Sequence, residues 1–115
     1  MAEFETESMA RYESTLLAHL RTVFAEQTQK ATDSELLDFV RPSINRARAY
    51  GIVLEYDVTR FVDLTFYLGN GFDTSTDVHW ANPIVTDESL QGWQKADRLW
   101  NCFKTQMNNC HVVST

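Results

Sequence analysis

The chain has 115 residues, 43% hydrophobic and 12% aromatic, with 16 Asp and Glu against 10 Lys and Arg for a formal charge of -6. That length suits one core rather than two, and the composition is that of a folded globule rather than a disordered segment. The acidic balance repels polyanions, which argues against nucleic acid as a partner, and no apolar run approaches the length of a membrane span.

Residues 1–7 carry Glu3, Glu5 and Glu7 with little to bury, so a loose lead-in is expected there. The acidic N-terminus has no apolar core of the signal-peptide kind, and a cytoplasmic location is expected. From Ser8 the apolar residues Met9, Tyr12, Leu16, Leu20, Val23 and Phe24 recur every three or four positions, the stripe of an amphipathic helix ending near Gln27 or Gln29. Thr32-Asp33-Ser34-Glu35 is a capping box and starts a second helix. Pro42 lacks an N–H and its ring clashes with the preceding turn, so a break or bend is expected at Arg41–Pro42, the alternative being one kinked helix. Gly51 then stops the helical run carrying Ile44, Ala47 and Tyr50.

Ile52, Val53 and Leu54 form an apolar connector. Glu55 and Asp57 favour a helix N-terminus, and Val58, Phe61, Val62, Leu64, Thr65 and Leu68 make that helix apolar nearly all round, hence central. Gly69, Asn70 and Gly71 end it. Phe72 is expected to fold onto the core, with Asp73 to Asp77 in water and Asp77 capping a short helix over 78–82. A last helix from Asp87 or Ser89 carries Leu90, Trp93, Ala96, Leu99, Trp100, Phe103 and Met107; Gly92 weakens it by about 1 kcal/mol relative to Ala. Asn108-Asn109 is expected to end the order. The fold expected is all-α: one domain over 1–115, a small irregular bundle of about four to five helices with a structured loop before the last, and loose ends at 1–7 and 108–115.

Chemistry is sparse. Arg41, Arg46 and Arg48 lie among Asp33, Glu35, Asp38, Glu55 and Asp57 and read as a solvated, mixed-charge face. Asp73, Asp77 and His79 do not follow the register of a calcium loop, and His19, His79 and His111 lack zinc-site spacing. Cys102 and Cys110 lack redox or zinc spacing and, eight residues apart on a helix, would be roughly 12 Å apart in rise, too far for a disulfide. Glu55 and Asp57 look solvated, which disfavours paired-carboxylate catalysis. No nucleophile motif is present, and no enzyme activity, metal or cofactor is expected. The remaining signal is aromatic: Phe72, Trp80, Trp93, Trp100, Tyr56 and Tyr67. Such residues fill cores and also anchor interfaces. The elaborate loop bearing Phe72, Asp73, Asp77, His79 and Trp80 is the candidate partner-binding site, with Trp80 either a core lid or a contact.

The run from Leu16 to Val85 resembles small accessory proteins encoded in type VI secretion gene clusters of Gram-negative bacteria. The residues that carry the resemblance are Ala47, Tyr50, Gly51 and Ile52, then Glu55, Asp57 and Val58, then Gly69, Phe72 and Asp73, and finally Trp80, Ala81 and Ile84. Asn70-Gly71, between the helix-ending glycine and Phe72, departs from that pattern, and the tail from Ser89 does not align with it. The resemblance implies an adaptor or chaperone for a secreted effector or spike component; the alternative is an immunity protein that neutralises a cognate toxin. Stoichiometry and oligomeric state are not legible.

Overall fold

In the computed structural model, which describes residues 6–113 with side chains over 9–107, the regular elements are all helical. α1 (Thr6–Val23) already includes Thr6 and Glu7, part of the expected lead-in, while residues 1–5 lie outside the described residues. Tyr12, Leu16 and Leu20 bury its stripe. The helix does not run to Gln27: Phe24 takes φ -117°, ψ 52°, and a separate α2 (Ala25–Thr28) follows. That step lets the buried Phe24 ring stack on Phe66, with centroids 4.7 Å apart, and meet Tyr67 edge-on at 5.1 Å. Carbonyls at a helix end lack intrahelical donors. Arg21 supplies them here, donating to Thr28 O at 2.7 Å and Ala31 O at 2.9 Å while its Nη2 also reaches Asp33 at 2.7 Å.

α3 (Asp33–Ala49) opens with the expected capping box, Glu35 N to Thr32 Oγ1 at 3.1 Å and Thr32 N to Glu35 Oε1 at 2.9 Å. It continues through Pro42 as one helix, the alternative to a break there. Pro42 is exposed while Val40, Ser43 and Ile44 beside it are buried, so packing holds the turn. The carbonyl that Pro42 leaves without a donor is that of exposed Asp38, where water can take it.

The end of α3 is closed by a pair of turn bonds, Ile52 N to Ala47 O and Gly51 N to Arg48 O, both 2.9 Å, with Gly51 at φ 88°. This is the Schellman arrangement, which needs a left-handed residue just past the helix. It turns Ile52 into the core, fully buried. α4 (Glu55–Leu68) then packs against both α3 and the last helix, α6 (Gly92–Val113), as the central helix. Ser43 and Thr65, both buried, satisfy one another across the α3–α4 contact at 2.9 Å.

Gly69 and Gly71 take positive φ, and a 3-10 turn at Phe72–Thr74 leads to α5 (Ala81–Val85). The short helix therefore starts at Ala81 rather than Val78, and Asp77 does not cap it: the Asp77 amide bonds Ser75 Oγ instead. Starting at Ala81 places Pro83 in the first turn, where an N–H would have no helical acceptor.

α6 (Gly92–Val113) begins later than expected because Asp87 accepts the Ser89 amide and hydroxyl at 3.0 and 2.6 Å, fixing a turn before the helix. It also continues through Asn108 and Asn109, so the backbone over 108–113 is helical rather than loose. Cys102 is unpaired, as a continuous helix with about 12 Å of rise over eight residues requires.

Gly92 has a use beyond propensity. A Cβ there would sit 2.0 Å from Gly51 O and 3.0 Å from Ile52 Cα, so only glycine lets α6 start against the end of α3. Lys95, one turn on, donates its Nζ to Tyr50 O at 2.7 Å. Gly92→Ala should therefore lower stability by about 1–3 kcal/mol through overpacking, against the gain of about 1 kcal/mol that helix propensity alone predicts. Urea denaturation of the purified variant reads the sign directly.

Candidate functional site

The loop singled out from sequence is mostly architecture. Asp73, expected in water, is 0% exposed. Its carboxylate accepts Arg46 Nε at 3.1 Å and the Tyr50 hydroxyl at 2.6 Å, and its carbonyl accepts Asn82 Nδ2 at 3.1 Å. A short acidic side chain after two glycines can turn inward here because a cation and a phenol are waiting on α3. Phe72 is buried against Phe61, centroids 4.9 Å apart. Asp77 and His79 are exposed, and Trp80 is half-buried against the core. Of the five residues, only Asp77, His79 and part of Trp80 face solvent.

Polar groups converge elsewhere, on the outer face of α4. Tyr56, Arg60, Asp63 and Tyr67 follow one another at intervals of three or four residues and so share a helix face. α1 brings His19 to this face, and its Nε2 lies 2.9 and 3.0 Å from the two Asp63 oxygens. α6 brings Asp97 and Trp100. Arg60 Nη2 donates to Asp57 at 2.9 Å and to Asp97 at 2.8 Å, with the guanidinium 4.8 Å from the Tyr56 ring centroid. Asp57 is thus buried and paired rather than solvated. The Tyr12 and Thr59 hydroxyls share a bond of 2.9 Å beneath.

These groups line a cleft of about 320 Å³ bounded by His19, Tyr56, Thr59, Arg60, Asp63 and Trp100. Burial raises the Asp63 carboxyl above its ordinary value, outweighing the opposing effect of His19. Along α4 and α6 the cleft continues into aromatic surface: Tyr67, half-exposed, stacks on Phe103 at 4.9 Å and meets Trp100 at 6.4 Å.

No protein-family model, curated protein or solved structure matches this chain. The choice of docking face therefore rests on the residues and their geometry.

A second, more apolar groove of about 480 Å³ lies between α2, α3 and α4, lined by Leu36, Phe39, Phe66 and Asn70 among others. Its carboxylate, Glu35, is engaged in the capping box, so little chemistry converges there. Among the described residues no three His, Cys, Asp or Glu side chains group as metal ligands, and no helix is long and apolar enough to cross a membrane.

The His19–Asp63 pair escaped the sequence reading because its members lie 44 positions apart. One signal was available: Asp63 interrupts the apolar run Phe61-Val62-Leu64-Thr65, where a charge needs a partner.

Two outcomes follow from the loop's anchor. Asp73→Ala leaves Arg46 and Tyr50 without their acceptor. Arg46 keeps one third of its side chain in water, so the loss should be about 2–3 kcal/mol, below that of a fully buried pair; urea denaturation measures it. The Tyr50 phenol is pushed up to about 12, first by burial and then by its hydrogen bond to the Asp73 carboxylate. Its folded value lies above the unfolded value of about 10. That contribution to stability is complete below pH about 10 and is lost as pH rises through about 12. Burial raises Tyr12 as well, and its effect has the same sign. Denaturation midpoints measured upward from pH about 9 should fall less steeply for Tyr50→Phe than for the wild type.

Proposed function

We propose that this chain is a non-catalytic protein-binding factor that docks its partner on the α4/α6 face. The observation that carries the reading is the exposure of large apolar side chains on the two helices that border a polar cleft: Tyr56, which lines it, is 72% exposed, and Tyr67, Trp93 and Met107 are about half exposed on α4 and α6. Tyrosine and tryptophan on a rigid helical face are the residue types that concentrate binding energy, and a central cleft rimmed by them is a common hot-spot arrangement.

The resemblance of the segment from Leu16 to Val85 to accessory proteins of type VI secretion clusters directs the choice of partner to a secreted effector or spike component. The formal charge of -6 suits a basic partner, since complementary charge speeds encounter. Immunity to a toxin is the second reading from the same resemblance. Most polar groups of the cleft are engaged with one another. His19 Nε2 is engaged by both Asp63 oxygens, Thr59 is bonded to Tyr12, and Arg60 Nη2 is held between two carboxylates, while the buried Arg60 Nε has no hydrogen-bond partner among the described residues.

Tyr56→Ala tests the reading with little risk to the fold, because the ring is mostly in water. The expected result is an unfolding free energy within about 0.5 kcal/mol of wild type, with capture of the co-expressed effector or spike component reduced at least about tenfold. Unchanged capture by Tyr56→Ala, together with its loss in Asp77→Lys, would return the interface to the loop before α5. In the same co-expression, an adaptor leaves the effector's enzyme activity intact, and an immunity protein abolishes it.

A further inference from the structure

We infer that docking on the α4/α6 face takes up one proton at the His19–Asp63 pair, so that the partner is held more tightly as pH falls from about 8 to about 6; the inference rests on the docking face proposed above. The pair stands in the wall of the cleft that docking covers. His19 keeps 33% of its side chain in water and Asp63 10%. Both Asp63 oxygens meet His19 Nε2, at 2.9 and 3.0 Å, and no other hydrogen-bond partner of that carboxylate is found among the described residues. The charges around it are already matched. Arg60, also in the wall, is held by Asp57 and by Asp97 of α6. On α1, Tyr12 is bonded to Thr59, and Glu13 to Arg41 of α3.

A partner laid over this wall removes the water that remains on the pair. In such a setting a lone ion costs far more than a hydrogen-bonded pair with no net charge. Neutral imidazole beside a carboxylate carries one uncompensated negative charge. An added proton cancels it, whether it rests on the imidazole as an ion pair or on the carboxyl as a hydrogen bond, so the uptake belongs to the pair rather than to either residue. The free chain already has this direction, since burial raises the Asp63 carboxyl even with His19 beside it. The docked state then binds more protons than the free one, so affinity rises as pH falls, by at most about tenfold per pH unit for one proton.

The test measures, by calorimetry at pH about 8 and about 6, the affinity of the whole chain for the effector or spike component captured in co-expression. Wild type is expected to bind at least about fivefold more tightly at the lower pH, and heats measured between the two values in buffers of different ionisation enthalpy should show net proton uptake. Asp63→Asn removes the uncompensated charge yet leaves His19 an acceptor. Its affinity at pH about 8 should equal or exceed that of wild type, with the pH dependence gone; loss of a merely structural contact would weaken binding at both values. His19→Gln keeps a donor for Asp63 but no titrating ring, and should bind at both values as weakly as wild type does at the higher pH. Equal wild-type affinity at the two values, or a pH dependence that survives Asp63→Asn, would overturn the inference. The two proposals fail separately. If Tyr56→Ala releases the partner and wild-type binding ignores pH, the docking face stands and the proton is wrong. If Tyr56→Ala leaves capture whole, or no effector or spike component is captured at all, the docking proposal fails and the proton coupling falls with it.

Discussion

The backbone corner at Tyr50 and Gly51 is the constraint on which the rest of the molecule depends. Three segments meet there. The Schellman bonds from Gly51 and Ile52 close α3, the Tyr50 hydroxyl and Arg46 hold Asp73 and with it the loop after α4, and Gly92 with Lys95 brings the start of α6 onto the same turn. A left-handed residue is needed at Gly51 to make the turn, and a residue without Cβ is needed at Gly92 to approach it. Each requirement is local, but together they fix how α6 crosses α4, and so where Asp97 and Trp100 stand relative to Arg60.

The residues on which the sequence-based expectation of a type VI accessory protein rests have structural roles. Ala47 and Ile52 are buried at the ends of a single turn bond, Val58 and Ala81 are in the core, Gly69 takes positive φ, and Phe72 and Asp73 pin the loop. A pattern made of such positions specifies how a chain folds without specifying what it touches. The cleft uses other residues, His19, Arg60, Asp63 and Trp100, of which only the first three lie between Leu16 and Val85.

Local signals were legible in the sequence where one element decides the outcome. The capping box at Thr32, the stop at Gly51 and the apolar α4 each depend on neighbours within a few residues. Features that depend on a distant partner were not legible. Asp73 looked like a loop carboxylate because nothing nearby in sequence marks Arg46 as its counter-ion. Gly92 looked like a weak point of α6 because the backbone it must clear is 41 positions away, at Gly51. Pro42 and the Asn108-Asn109 pair argued for helix ends, yet packing on the buried side of α3 outweighs one missing bond, and two asparagines carry too little penalty to stop α6.

The coupling of α6 to the end of α3 can be measured in the chain alone by native-state hydrogen exchange. If the corner organises the fold, the amides of Ile52 and Lys95 open only with global unfolding, with the same opening free energy and denaturant dependence as Val62 in the centre of α4. Exchange of Ile52 or Lys95 through a smaller opening, while Val62 stays protected, would mean that α6 docks independently of the corner and would contradict the account.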